Sequence, residues 1–388
     1  MYNTHKWGER MIYLDYAATT PLNRDVYEAY IKLLKNYFAN ADSAYSLGYQ
    51  VSGLIEKSRK HIASMLKIQP QEIIFTSCAS EANNMAIKGV CFQYSNRGKH
   101  IITTKIEHSS VDASFKQMAE VFGFEVDYLD VDNQGMIDLQ VLENMIREDT
   151  ILVSTMYVNN EIGSILPVSL IADIIHRKNP KTRYHVDMVQ ALGKIPINLK
   201  GIDLASFSAH KIYGLKGSGL LYKNHRTSLI PLITAGQQEY GLRGGTSDSA
   251  KDIVFAKTLR LALEAQQEHY DYVIELNQYL REELKKREAV FINSPKNASP
   301  YLLNFSVPHY KPEVLVHYLE TSDIYLSARS ACTSKKQDIS HTLQATAINE
   351  EIGLSALRLS LSHLTQKEEL KIFIKTLDQA LTEVKKQR

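Results

Sequence analysis

Short apolar runs alternate with amphipathic stretches from residue 72 to about residue 222. Residues 72–76, Glu-Ile-Ile-Phe-Thr, predict a strand, and the helical spacing of apolar positions over 81–94 predicts a helix behind it. The same alternation predicts strands at 100–104, 124–129 and 151–158, helices at 111–122, 139–147 and 168–177, and further strands at 183–186, 204–208 and 219–222. Strand–helix alternation with short linkers builds a mostly parallel sheet covered by helices on both faces. Ligands of such sheets sit at the carboxyl ends of the strands. After Gly245 the pattern changes. One long helix-like stretch over 249–286, rich in Leu, Ala, Glu and Gln, is followed by strands at 301–307, 324–328 and 357–361, a helix at 312–320 and a charged terminal helix from 367. These short strand–helix units predict a second, smaller α/β domain. No internal repeat or low-complexity segment interrupts the chain.

Composition narrows the class. The chain has 388 residues, 44% hydrophobic and 23% charged, which fits a globular protein of two to three domains and excludes a disordered or collagen-like chain. Lys plus Arg number 45 against 43 Asp plus Glu, a net charge of +2. So even a balance argues against a dedicated nucleic-acid binder, and no direct nucleic-acid binding is expected. Three cysteines, Cys78, Cys91 and Cys332, are too few for a disulfide framework and predict a reducing, cytoplasmic compartment. No apolar run approaches the roughly 18 residues of a membrane span, so no membrane association is expected. Residues 1–10 are polar and lack the apolar core of a signal peptide; they read as an alternative start ahead of Met11 or as a disordered arm.

Four loops just past predicted strands carry the candidate chemistry. In Thr76-Ser77-Cys78-Ala79-Ser80-Glu81 a strand gives way to a helix, whose free N–H groups and serine hydroxyl suit a phosphate, or whose Ser80 is an ordinary N-cap. His108 follows the strand at 100–104 and is either structural or a ring-stacking, proton-moving group. Asp187, in His185-Val186-Asp187-Met188-Val189-Gln190, stands where a buried acid needs a partner; a protonated ring nitrogen is one, a helix cap another. Lys211, in Ser206-Phe207-Ser208-Ala209-His210-Lys211, is a Schiff-base nucleophile or a surface lysine. Taken together, a phosphate cradle, a stacking histidine, an acid for a pyridine nitrogen and a lysine for an aldehyde are the parts of a pyridoxal phosphate site. No metal site is expected.

The chain resembles the cysteine desulfurases of the class V aminotransferase fold, the NifS and IscS-like group. The resemblance runs from Ile12 to about Lys375 and is carried by Tyr13-Leu14-Asp15-Tyr16-Ala17-Ala18-Thr19-Thr20-Pro21, Val158-Asn159-Asn160-Glu161-Ile162-Gly163, His185-Val186-Asp187, Ser208-Ala209-His210-Lys211, Arg243-Gly244-Gly245-Thr246 and Ser330-Ala331-Cys332-Thr333-Ser334. It implies the α/β fold of pyridoxal phosphate-dependent transferases, the aspartate aminotransferase-like fold. A large domain over 20–262 would hold a mostly parallel seven-stranded sheet. A smaller α/β domain, from 1–19 and 263–388, would carry the catalytic cysteine loop. It implies pyridoxal 5'-phosphate as cofactor, with Lys211 as covalent anchor and proton carrier, Asp187 on the pyridinium nitrogen, His108 on the ring face and Gln190 on the ring oxygen. Ser80, Ser208, His210 and the backbone near Ala79 would hold the phosphate. Thr246 would reach the phosphate of a neighbouring subunit in a homodimer. Arg358, helped by Asn159, would clamp the carboxylate of L-cysteine. Cys332 would take the substrate's sulfur as a persulfide, leaving alanine, and pass it to a sulfur-acceptor protein.

The 26 residues from Cys332 to Arg358 match the long loop of the IscS/NifS-like subgroup, which can carry sulfur to a partner. Arg329, Lys335 and Lys336 would favour the Cys332 thiolate by their charge, whereas Cys78 and Cys91 read as structural. Departures from the family pattern are Ser80 for a common Thr, Cys78 and Ala209 for common glycines, Arg329 before the Ser-Ala-Cys segment, Asn40-Ala41-Asp42-Ser43-Ala44-Tyr45 near the start, and Gln237 and Tyr240. If the backbone at Cys78 needed a positive φ, the cysteine would be strained. The departures leave the reaction type standing and bear on the acceptor, with iron–sulfur cluster assembly, tRNA thiolation and DNA phosphorothioation as the candidate destinations. The competing functions are a selenocysteine lyase, an aminotransferase, which Cys332 in its Ser-Ala-Cys-Thr-Ser setting disfavours, and a non-catalytic platform for sulfur-acceptor proteins.

Overall fold

The computed structural model describes residues 11–328 and 339–385. In chain order its first half comprises β1 (Ile12–Tyr13), α1 (Arg24–Asn36), α2 (Ser46–Leu66), β2 (Ile73–Thr76), α3 (Ala79–Tyr94), β3 (His100–Thr104), α4 (Ser109–Phe122), β4 (Glu125–Leu129), α5 (Leu139–Met145), β5 (Thr150–Met156), α6 (Val168–Lys178), β6 (Arg183–Asp187), β7 (Leu204–Ser208) and β8 (Gly219–Lys223). Then follow α7 (Ser249–Glu264), α8 (Gln266–Lys285), β9 (Phe291–Ile292), β10 (Leu302–Ser306), α9 (Pro312–Glu320), β11 (Ile324–Tyr325), α10 (His341–Ala345), α11 (Glu350–Leu354), β12 (Ala356–Ser360) and α12 (Lys367–Glu383).

The central seven-stranded sheet runs in the order β2-β8-β7-β6-β5-β3-β4. Neighbours from β7 to β4 pair in parallel, and β8 runs antiparallel to both β7 and β2. Every residue of β2, β3, β5 and β7 is buried. That is the expectation for strands covered by helices on both faces. One core joins the sheet to α2, α6 and α7, and another joins it to α3 and α4 on the opposite face. A further core gathers β1, α8, β10, α9, β11, β12 and α12. There β10 lies between β12 and β9 in an antiparallel sheet, and β1 pairs in parallel with β11.

Several boundaries differ from the sequence reading. The single long helix over 249–286 is two helices, broken at Ala265 (φ −101°, ψ 6°). Phe255, Ala256 and Leu259 of α7 belong to the large core, while Val273, Leu276, Leu280 and Leu284 of α8 belong to the smaller one. One straight helix cannot present both faces. Helix α3 starts at Ala79 with Cys78 at its N-cap, so Ser80 lies inside the first turn and is not the cap. The N-cap backbone at Cys78 is extended (φ −173°), so no left-handed conformation strains the cysteine. Helices α1 and α2 precede the region where the alternation is clear; α2 packs along α7.

Candidate active site

The turn after β2, the loop after β3 and the carboxyl ends of β6 and β7 line one cavity of about 250 Å³. The cavity begins with Asp187, the last residue of β6, which is 4% exposed. Its Oδ2 accepts a hydrogen bond from Asn83 Nδ2 (2.9 Å) and its Oδ1 one from the Val189 N–H (3.0 Å). These donors make the buried carboxylate tolerable. Asn83 was invisible as a functional residue in the sequence. Its only signal is its place three residues after Ser80 on α3, and its amide also donates to Ser110 Oγ (2.9 Å).

Lys211 closes the turn that follows β7. Its Nζ donates to the Ala17 and Ala18 carbonyls at 2.6 and 2.7 Å, so the side chain is directed inward onto the N-terminal segment. The surface-lysine alternative therefore falls. Gln190 meets the same segment: Nε2 donates to the Ala17 carbonyl (3.1 Å), and Oε1 accepts from Lys194 Nζ (2.7 Å). His108 is the N-cap of α4. Its Nδ1 accepts from the Ser110 N–H (3.2 Å), which leaves Nε2 to carry the proton of the neutral ring. The structural and cavity-lining readings of His108 thus coexist.

The other end of the cavity is built for an anion. The N-terminus of α3, with Ala79 and Ser80, opens onto it, and Ser208, the last residue of β7, adds a buried hydroxyl that has no hydrogen-bond partner among the described residues. A free helix N-terminus beside an unsatisfied hydroxyl fits a phosphate. His210 lines the same wall, with Nδ1 3.1 Å from Thr19 Oγ1. Burial, and then the charges of Lys211, Lys216 and Lys194, push its imidazole down to about 4, so it is neutral at pH 7. Gly219 lets β8 press against this turn: a Cβ there would lie 2.7 Å from the Cys78 carbonyl carbon. Cys78 itself is half-buried and lines the cavity, contrary to its reading as a structural cysteine. Cys91 is fully buried, and burial pushes its thiol well up.

Arg358, central in β12, reaches the cavity from the smaller core and is only 2% exposed. Its Nη2 pairs with Asp15 Oδ1 at 2.8 Å, and Nη1 donates to the Asn160 carbonyl at 3.0 Å. The ordinary surface pair is replaced by a buried one. Asn159 does not line the cavity. Its Nδ2 donates to the Ile106 carbonyl, and its Oδ1 accepts from the N–H groups of Glu161 and Ile162, so its amide holds the turn that presents Asn160. Thr246 is exposed and lies outside the cavity lining. Arg243, three residues before it, is tied by its Nε to Glu81 Oε1 (2.9 Å), and Glu81 Oε2 accepts from the Ser77 N–H (2.7 Å). That links the Thr246 turn to the α3 end of the cavity. Cys332, Arg329, Lys335 and Lys336 lie outside the described residues. Among the described residues no helix is long and apolar enough to cross a membrane, and no cluster of His, Cys, Asp or Glu is disposed to hold a metal ion.

Comparison with known proteins agrees with this geometry. The family model described as aminotransferase class V matches residues 12–373. The cysteine desulfurase IscS of Dictyoglomus turgidum is 40% identical over 381 residues, 97% of this chain and 96% of the relative. Among solved structures, a NifS-like protein superimposes with a TM-score of 0.91 at 35% identity, covering 97% of this chain and all of the other. The protein SspA, solved in complex with cysteine, has a TM-score of 0.79 at 32% identity, covering 90% of this chain and 98% of its own.

Proposed function

The chain belongs to the aminotransferase class V family, and within it to the cysteine desulfurases of the IscS and NifS kind, and on that premise we propose how its own residues mobilise the sulfur of L-cysteine. Enzymes of this family depend on pyridoxal phosphate, and the cavity beside Lys211 suits that cofactor. The observation that carries the reading is the convergence of Lys211, Asp187 and the unpartnered Ser208 hydroxyl on one cavity. Bound there, the cofactor supplies an electrophilic carbon and an electron-withdrawing ring.

Lys211 would hold the cofactor covalently through Nζ, an atom that the Ala17 and Ala18 carbonyls aim. Asp187, its carboxylate held in place by Asn83, would pair with the ring nitrogen and favour its protonated form. His108 would lie against the cofactor ring and hold or move a proton at Nε2. Gln190 donates to the ring oxygen. The N–H groups near Ala79, with Ser80, Ser208 and neutral His210, hold the phosphate, and Thr246 completes the phosphate site of a second subunit. Arg358 turns its guanidinium to the carboxylate of L-cysteine, while Asn159 acts through the turn it stabilises. Lys211 would also carry the substrate's Cα proton. The thiolate of Cys332 then bonds to the substrate sulfur as the carbon–sulfur bond breaks. Alanine leaves, and a persulfide remains on Cys332 for a sulfur-acceptor protein of the cytoplasm. In this reading the large domain spans 20–262, and the smaller one, 1–19 with 263–388, carries the catalytic Cys332.

Peptide mass spectrometry of the cofactor-loaded protein, after brief mixing with L-cysteine without reductant, tests the reading. One added sulfur atom on the Cys332 peptide, matched by released alanine, is expected, and both should vanish in Lys211→Ala. Wild-type protein that takes up cofactor yet gains no sulfur and releases no alanine would refute it.

A further inference from the structure

Lys194 belongs to neither the cavity lining nor the motifs quoted above, yet it is 8% exposed, an unusual place for a lysine. It lies in the segment after β6, four residues beyond Gln190, and its Nζ donates to Gln190 Oε1 at 2.7 Å. On its other side is a second cavity of about 320 Å³, walled by Tyr16, Tyr213, His269, Tyr301 and His363. Burial first, and then the charges of Lys211 and Arg358, push its ammonium down to about 7.

The amide of Gln190 has two ends with different tasks. The Ala17 carbonyl can only accept, so the end facing it must be Nε2. That leaves Oε1 buried, and Lys194 is the donor that satisfies it. One N–H of Nε2 remains beyond the bond to Ala17, and Gln190 lines the reaction cavity. Donation into Oε1 also polarises the amide and strengthens its N–H groups as donors. The Ala17 carbonyl that receives Gln190 also receives Lys211 Nζ. Hydrogen bonds therefore connect Lys194, Gln190, Ala17 and Lys211 in series.

We infer that Lys194 is a positioning residue that acts through Gln190, holding its amide so that the remaining Nε2 N–H faces the ring oxygen of the cofactor. The inference rests on the functional reading above. Without Lys194, Oε1 is left buried and unsatisfied, and the amide gains by rotating Oε1 towards another donor, which takes Nε2 off the Ala17 carbonyl. The donor to the ring oxygen is then lost.

The test is a double-mutant cycle on the dissociation constant of pyridoxal phosphate. Full-length apoprotein is titrated at one fixed pH, and the visible absorption band of the loaded protein is recorded alongside. Lys194→Met, which keeps the volume and removes the donor, should weaken cofactor binding about three- to tenfold, the range for one lost hydrogen bond, and shift the band. The same substitution in a Gln190→Ala background should change neither quantity. Lys194→Arg, which keeps a cationic donor and has the neighbouring cavity to occupy, should restore the wild-type band; if Lys194→Met does not fold, Lys194→Gln takes its place in the cycle. An unchanged constant and band in Lys194→Met overturn the positioning role, as does an equal loss with and without Gln190. Wild-type protein that binds no pyridoxal phosphate overturns the functional reading and the positioning role together, so the two failures are distinguishable.

Discussion

Arg358→Ala probes the contact that joins the smaller core to the reaction cavity. In the native protein Arg358 and Asp15 face each other at 2.8 Å with side-chain exposures of 3% and 19%. Burial raises the Asp15 carboxyl above the usual range, and the guanidinium is the main force opposing it. Removing Arg358 takes away the largest force opposing burial and leaves Lys211 as the nearby cation, so the balance at Asp15 shifts further towards the protonated form. Protonating a carboxyl of ordinary pKa near 3.9 at pH 7 costs about 4 kcal/mol, at about 1.4 kcal/mol per unit, which caps the electrostatic loss. Breaking a buried pair costs roughly 3–5 kcal/mol, and the partial exposure of Asp15 puts the expected loss near 3 kcal/mol. The pH dependence has a definite sign. A folded-state carboxyl raised above its unfolded value binds protons that the unfolded chain does not, so the deficit grows as pH rises and shrinks as pH falls. At pH 5 the cap is about 1.5 kcal/mol. Urea unfolding of wild type and variant at pH 5 and pH 7 measures both. Asp15→Asn in the Arg358→Ala background should recover most of the loss. A deficit under about 1 kcal/mol at pH 7, or one equal at the two pH values, would refute the buried-pair reasoning. Weaker L-cysteine binding should accompany the loss, seen as a raised KM.

Asn83→Ala removes the side-chain donor to Asp187, and roughly a tenfold weaker hold on pyridoxal phosphate is expected, the scale of a hydrogen bond to a charged group; equilibrium titration of the apoprotein checks it. Gly219→Ala drives a methyl into the backbone of Cys78. It should cost about 1–3 kcal/mol of stability along with cofactor affinity, and a fully stable, fully loaded variant would contradict the close approach. His185 is fully buried between Ser154 Oγ (2.8 Å) and Ser206 Oγ (3.0 Å), and burial lowers it to about 4. The unfolded chain takes the proton first, so this contribution is whole above about pH 6.5 and is lost as pH falls towards 4, up to about 3 kcal/mol. His185→Asn should flatten that acid limb in a series of urea melts. Cys332→Ser should still bind cofactor and L-cysteine while forming no persulfide, and sustained alanine release at the wild-type rate would remove Cys332 from the chemistry.

The sheet and the strand-end residues that line the cavity were legible in the amino-acid order because both are local signals. An apolar run that stops marks a strand end, and Asp187, Ser208 and Lys211 stand at or within three residues of such ends. The resemblance of six ordered motifs supplied the chemistry. Helix boundaries were less secure. The break at Ala265 depends on which core each helix faces, and periodicity over 249–286 does not report that. What only the tertiary structure decided is which side chains hold the functional ones. Asp15 meets Arg358 across 343 residues, Ala17 meets Lys211 across 194, and Asn83 meets Asp187 across 104. No local pattern encodes such partners. They follow from the strand order, which sets β6 between β5 and β7 with α3 over it, and from the pairing of β1 with β11 beside β12. Hydrophobic periodicity determines which face of an element is buried. Only the packed arrangement of those faces determines what each buried polar atom finds there.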